Sequence, residues 1–407
     1  MDTITHGIVG ALIGKAFFAA RDVPAADGHP AQSAPGARVA IVATTLGAVF
    51  PDIDTFAGPL VHNPLAIMEW HRNITHSLVM LPLWAILLTL LTLGLARWRR
   101  WHSPAWPLLF VIYAVGLGSH IFLDVITSFG TMVWSPLRYT RVAWDWMFIL
   151  DFTLVALSLV PQLVAWSLRR PNQQMMRALG VWIACTGAAF VIYAVAAAAG
   201  FPFARWVVGL TSGLVALAVG LPAIEGWGFR VRRSTWCRVG VLLVAAYIAL
   251  AGAAHHVALG RTEAFAAARD LRVENLGALP LPPSVFSWDG LVRTPEGVYR
   301  LRMDLRDRAQ ATPEEIFYAD TASSRAIREA DDLRPVQVYL WFARFPWFRS
   351  GERNGQRVLD ISDLQFLRAT EKMPGAAAQS GATNFTMEVV FDRAGHAQSA
   401  GWAQPQH

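Results

Sequence analysis

What most constrains this chain is a series of apolar runs, each about as long as a bilayer is thick. A helix needs roughly 20 mostly apolar residues to cross about 30 Å of hydrocarbon. Ser77–Ala96, Ala105–Leu123, Met147–Leu168, Ala178–Gly200, Arg205–Ile224 and Val239–Leu259 meet that length. Two shorter candidates precede them. Ile4–Ala20 is interrupted only by His6 and Lys15, and Val39–Phe50, too short to cross alone, is expected to insert against its neighbours. Composition agrees: 54% of the 407 residues are hydrophobic and 16% charged, against about 25% charged in soluble domains. Charge returns after about residue 261. The expected fold is an all-α polytopic membrane domain over residues 1–260, with about 7–8 membrane-inserted helices, followed by a small α+β extracytoplasmic domain over 261–407.

The basic residues orient this set. The net charge of +6 sits largely in short clusters: Arg97, Arg99 and Arg100; Arg169, Arg170 and Arg177; Arg230, Arg232, Arg233 and Arg238. These loops alternate along the chain, so all can be cytoplasmic at once. Lys15, Arg21 and Arg38 fit the same side, which leaves the tail outside the cytoplasm. Arginines spread this way mark topology, whereas a nucleic-acid surface gathers them on one face. Arg21 to Arg38, rich in Pro, Ala and Gly, reads as a flexible loop. Met1-Asp2-Thr3 has no basic n-region and is not read as a cleaved signal peptide. Cys185 and Cys237 lie in or beside apolar segments and form neither a zinc knuckle nor a disulfide framework. Gly7, Gly10 and Gly14 share one stripe of the first helix, a surface that permits close helix contact.

In the tail, Val298–Leu305, Val336–Phe342, Val358–Ile361 and Phe385–Phe391 read as strands. Thr312–Phe317 and Ser323–Glu329 read as helices. An antiparallel sheet is the simplest arrangement, and no catalytic motif stands out in it.

The chemistry-bearing residues gather in four segments: Thr5-His6-Gly7, Phe50-Pro51-Asp52-Ile53-Asp54, His71-Arg72-Asn73-Ile74-Thr75-His76-Ser77 and His120-Ile121-Phe122-Leu123-Asp124. Four residues advance a helix by about 400°, so His120 and Asp124 project from one face and form a chelating pair for zinc or a similar divalent cation. His71 and His76, about 140° apart on a continuous helix, converge only if His71 lies in the preceding loop, with Thr75 capping the helix that carries His76. Asp52 and Asp54 either bind one ion each, or one binds while the other orients a histidine. With alternating spans, all four segments meet at one membrane face. Polar side chains at membrane depth are costly and usually functional. Arg72 is placed either to bind an anionic phosphate or to serve as an interfacial anchor, and Glu69 is a candidate general base or a solvated loop charge. Asp145 and Asp151 flank the next span, where Arg138 or Arg141 is a candidate partner for Asp151. His255-His256 and the tryptophans near Trp134, Trp144 and Trp146 read as interfacial residues.

The ordered set M-D-T-I-T-H-G, F-P-D-I-D, H-R-N-I-T-H-S and G-S-H-I-F-L-D-V-I-T, over residues 1–151, resembles the bacterial membrane-bound, metal-dependent hydrolases, also described as LexA-binding inner-membrane-associated hydrolases. That family's pattern is similar to zinc-dependent phospholipase C. The resemblance implies a metal site of His6, Asp52, Asp54, His71, His76, His120 and Asp124. LexA binding does not follow here, because an outward site would not meet a cytoplasmic repressor.

The expected activity is hydrolysis of an ester or phosphoester, lipid or lipid-linked, at the outer face of the inner membrane. One or more divalent ions, zinc first, would assist, with Arg72 and Glu69 as catalytic groups and membrane lipids as partners. The alternatives are a non-catalytic membrane protein with a structural metal site and a partner-binding outer domain, and a metal transporter, which would hold its ligands nearer mid-membrane.

Overall fold

A computed structural model describes residues 1–19, 36–56, 60, 62–198, 203–225, 227–282, 285–307, 314–353, 355–366 and 385–403. Most of the loop expected between Arg21 and Arg38 lies outside the described residues. The chain forms two compact units: Met1–Phe56, Arg72–Trp144 and Ile149–Ala249 make the first, and Ala57–His71, Asp145–Phe148 and Leu250–His407 the second.

The first unit is helical: α1 (Thr3–Ile13), α2 (Ala37–Val49), α4 (Leu81–Arg99), α5 (Trp106–Val125), α6 (Phe152–Ser167), α7 (Gln174–Ala198), α8 (Arg205–Ile224) and the first part of α9 (Arg233–Ala268). The short α3 (Ala66–Glu69) belongs to the second. Among the described residues six helices are long and apolar enough to cross a membrane: Ala37–Phe56, Leu81–Arg99, Trp106–Val125, Gln174–Ala198, Arg205–Ile224 and Arg233–Ala268. Thr3–Phe18 and Phe152–Ser167 are apolar but shorter.

Two expectations about spans are corrected. The second segment reaches 20 residues because a 3-10 helix, Phe50–Phe56, extends α2 beyond the apolar run. Met147–Leu168 shortens to 16 helical residues, because Asp151 caps the helix by accepting the Leu154 N–H at 2.9 Å. Asp151 also accepts the Tyr247 hydroxyl at 2.8 Å, so among the described residues its side-chain partner is Tyr247 and not Arg138 or Arg141.

Small residues let three helices approach closely. A Cβ on Gly10 of α1 would stand 2.5 Å from Ala48 Cβ, and one on Gly116 of α5 2.6 Å from the Thr44 carbonyl oxygen. Both distances are below any tolerable carbon contact, so α2 lies against backbone on both sides. Around this contact Ala40, Ala43, Ala85, Leu109, Ile112, Tyr113 and Leu117 form the buried core of α2, α4 and α5.

Among its described residues the second unit holds two four-stranded antiparallel sheets, in the orders β1-β2-β3-β4 and β5-β6-β7-β8. Their strands are β1 (Asn275–Pro280), β2 (Ser287–Thr294), β3 (Gly297–Asp304), β4 (Glu314–Ala319), β5 (Pro346–Arg353), β6 (Gln356–Asp363), β7 (Thr386–Phe391) and β8 (Ala397–Trp402). Helices α10 (Ser324–Asp331) and α11 (Arg334–Phe342) join the sheets. Leu279, Leu291, Val298, Tyr318, Phe345 and Leu364 form one buried cluster.

Two assignments in this unit are reversed. Val336–Phe342, expected as a strand, is helical, with Pro335 in the first turn and Val336, Tyr339 and Phe342 buried every third residue. That spacing is helical and not alternating. Within the expected helix Thr312–Phe317, the described part is strand: Glu314–Ala319 pairs with β3, Tyr318 opposite Val298, and pairing of an Ile-Phe-Tyr run outweighs local helix preference.

Candidate metal centre

Four chain segments of the first unit converge at one set of helix ends. Helix α1 starts there with His6, the 3-10 turn after α2 brings Asp52 and Asp54, and α5 finishes there with His120 and Asp124. A 3-10 turn, Ile74–His76, supplies His76. Thr75 does not cap a helix. Its hydroxyl donates to Asp54 at 2.8 Å, and α4 starts only at Leu81, after Ser77 Oγ has accepted the Val79 N–H at 3.0 Å.

Asp52, His76, His120 and Asp124 are all buried, and each offers one donor atom within 4.8 Å of the other three. His76 Nε2 and His120 Nε2 are 3.0 Å apart. Asp52 Oδ1 lies 3.5 Å from each nitrogen, and Asp124 Oδ2 lies 3.2 Å from His76 and 3.3 Å from His120. Bonds of 2.0–2.1 Å in a tetrahedral zinc site separate the donors by about 3.3–3.4 Å, so this set has the right spacing and chemistry for a divalent ion. Asp124 Oδ2 has no hydrogen-bond donor although it is fully buried, as suits an oxygen with a cation for a partner.

The outer nitrogens of both histidines are committed elsewhere. His120 Nδ1 is 2.6 Å from the Ala48 carbonyl oxygen, and His76 Nδ1 is 3.1 Å from Asp54 Oδ2. Both partners accept, so each Nδ1 carries the hydrogen and each Nε2 points inward with its lone pair. Thr3 donates to Asp52 Oδ2 at 2.5 Å, leaving Oδ1 for the centre. Burial works against charge on His76, yet the carboxylates of Asp124, Asp52 and Asp54 outweigh it and push its pKa up to about 10. A site that grips a proton so firmly is built for positive charge.

The other predicted residues are placed as follows. Asp54 touches His76, Thr75 and the Arg72 N–H, the last at 3.0 Å; it orients a histidine and is not one of the four donors. His6 stacks on His120 with ring centroids 3.6 Å apart, and its Nε2 lies 3.2 Å from Asp124 Oδ1. Its Nδ1 is buried without a hydrogen-bond partner. Arg72 is fully buried, its Nη2 2.9 Å from Asp124 Oδ1 and its Nη1 2.9 Å from the Thr127 hydroxyl. Its φ of 60° costs about 1–2 kcal/mol for a non-glycine residue, and is held by the N–H bond to Asp54 and by a carbonyl that accepts from Met132 at 2.9 Å. His71 and Glu69 fall in the second unit. The His71 N–H donates to Ala66 O, and Glu69 accepts from Asn63 at 3.0 Å and from Arg334 at 2.9 Å. Asp145 pairs with Arg344 at 2.7 and 2.8 Å, and His255 leans on Trp288 at 5.7 Å.

Sequence reasoning missed Thr3, Thr127 and the Ala48 carbonyl. Thr3 carried a signal, three residues before His6 on the same helix face. A backbone carbonyl carries none.

Six helices among the described residues long and apolar enough to cross a membrane, with a buried His/Asp cluster where α2 and α5 end, mark a multi-pass membrane protein with a candidate metal site. The family model described as "YdjM inner membrane protein" matches residues 1–200, and so contains all the residues of that cluster. Over those residues the chain is similar to that inner-membrane family. No curated protein and no solved structure matches the chain.

Proposed function

We propose that this protein is a membrane-bound, metal-dependent hydrolase of an ester or phosphoester at the outer leaflet of the inner membrane. One observation carries the reading: Asp52, His76, His120 and Asp124 hold four donor atoms at ion-binding distances, both histidines turned inward by second hydrogen bonds. When bound, zinc or a similar ion supplies Lewis-acid polarisation of the substrate and acidification of water. Arg72, beside the donors, stabilises negative charge that develops on the substrate. His6 Nδ1, buried and without a hydrogen-bond partner on a ring stacked against His120, is a candidate proton acceptor, while Glu69 is engaged by Arg334 and Asn63.

The outer placement rests on charge. Helix α4 carries Arg97, Arg99 and Arg100 at or just beyond one end and follows His76 at the other. Its 19 residues span about 28 Å at 1.5 Å each, and the basic end belongs to the cytoplasm. A lipid or lipid-linked substrate suits that location.

A second reading has its own support. Four protein donors complete a tetrahedral zinc site, as structural zinc requires, whereas hydrolysis needs an open position. A non-catalytic protein with a structural ion would satisfy its neighbouring polar groups, however, and here His6 Nδ1 and Arg72 Nε are buried without partners.

The test is elemental analysis of the full chain purified in detergent, followed by ester and phosphoester assays. About one equivalent of zinc or manganese, lost in His76→Ala/His120→Ala together with activity, is the expected result. Absence of metal after reconstitution would sink the reading. Metal without turnover of any ester would favour the structural alternative. Reporter fusions after Arg100 and Arg138 test the orientation, with export-dependent activity expected only from the second.

A further inference from the structure

Beyond the four donors, the first unit places a second arginine near Arg72. Arg141 stands in the loop after α5, held by a two-residue bridge in which Thr131 and Val142 exchange backbone hydrogen bonds, both 2.9 Å. Gly130 completes the mount. Its φ of +84° is one that glycine adopts freely, and a Cβ there would stand 3.1 Å from Arg141 Cβ. Arg141 Nη2 donates to the Gly130 carbonyl at 3.1 Å.

Arg72 and Arg141 converge on one aromatic ring. Each guanidinium carbon lies 5.0 Å from the centroid of Phe129, so the two cations are no more than twice that distance apart. Burial and the positive charge of Arg72 push Arg141 down to about 9. Two like charges in a site of low polarity are costly to hold. Arg72 spends its Nη atoms on Asp124 and Thr127, while its Nε is buried without a partner. With a divalent ion on the four donors, that ion, Arg72 and Arg141 together carry one more positive charge than Asp52, Asp54 and Asp124 carry negative.

We propose that Arg72 and Arg141 form a two-guanidinium clamp for a phosphoryl group, which selects phosphoesters over carboxyl esters at this centre. The inference rests on the reading of the centre as a divalent-metal site. A phosphoryl group brings a full charge and several oxygens, which suit the Arg72 Nε–H and the guanidinium of Arg141 together. A carboxyl ester brings neither.

Calorimetric titration of inorganic phosphate into the zinc-loaded full chain, with acetate as the control anion, tests the clamp. Phosphate is expected to bind more tightly than acetate, and Arg141→Gln to weaken it about tenfold or more while zinc content stays at the wild-type level. Equal affinity for phosphate and acetate, or wild-type phosphate affinity in Arg141→Gln, would overturn the clamp while the metal reading stands. If Arg141→Gln does not retain zinc, Arg141→Lys decides, because it keeps the charge and removes the fork. Weaker phosphate binding by that variant supports the clamp, and unchanged binding overturns it. If the wild-type chain takes up no zinc, the metal reading fails, and the same titrations on the metal-free protein judge the clamp alone. Short-chain phosphatidic acid as a second titrant separates sources: tighter binding than inorganic phosphate points to a lipid headgroup, equal binding to a soluble phosphate. Either result supports the phosphoryl site.

Discussion

His76 and His120, 44 residues apart in the chain, meet Nε2 to Nε2 at 3.0 Å. Their Nδ1 atoms face Asp54 and the Ala48 carbonyl, both acceptors. Two neutral imidazoles in those tautomers would press lone pair against lone pair, an arrangement stable only with a positive charge between them. A proton supplies one such charge, and a divalent ion supplies more with Asp52 and Asp124 completing the donors.

Asp54→Asn is expected to weaken zinc affinity about 10–100-fold without changing the stoichiometry at saturation. The carboxylate's task is to hold His76 Nδ1–H, which an amide does less well. Competition against a chromophoric chelator measures it. A loss of stoichiometry would make Asp54 a ligand.

Metal binding is expected to release a proton. Without metal, His76 holds its proton up to about pH 10, so an ion must displace it below that pH. Apparent affinity then rises up to about tenfold per pH unit between pH 6.5 and pH 9. The raised value also sets a sign for the metal-free protein: the stabilisation is complete below the ordinary histidine pKa near 6.5 and is lost as pH rises through about 10. Calorimetry in buffers of different ionisation enthalpy counts the proton.

Gly116→Ala is expected to destabilise the first unit by about 1–3 kcal/mol, because its Cβ would stand 2.6 Å from the Thr44 carbonyl oxygen. Gly94→Ala in α4 is the control, with no atom within 4 Å of its Cβ; there, alanine is neutral or gains up to about 1 kcal/mol of helix preference. Thermal unfolding in detergent compares them.

Arg344→Ala is expected to cost about 2 kcal/mol, less than the full penalty for breaking a buried pair, because the Arg344 side chain keeps 26% of its surface exposed. Asp145, buried at a φ of 59°, would lose both guanidinium bonds. Asp145→Asn/Arg344→Met is expected to recover most of the loss, since asparagine tolerates that backbone and carries no charge. A double-mutant cycle on unfolding midpoints checks it.

The membrane class of this chain was legible in the sequence because bilayer thickness sets a length that apolar runs must meet. The pairing of His120 with Asp124 was legible too, because helical spacing alone puts them on one face. Composition misassigned the seven positions from Val336 to Phe342: Val, Tyr, Trp and Phe there favour a strand, and only the packed structure shows the every-third-residue burial of a helix. Nor could the sequence divide labour between Asp52 and Asp54. Both aspartates stand in one short turn, and only the arrival of Thr3 on one and of His76 Nδ1 and Thr75 on the other separates ligand from support. The same holds for Arg141, whose relation to Arg72 depends on a loop bridge and a shared ring. Local rules act over a turn or two of chain, whereas a site built from residues 6 to 141 is set by which helix ends pack together, and that is decided by long-range contacts such as Gly10 on Ala48 and Gly116 on Thr44.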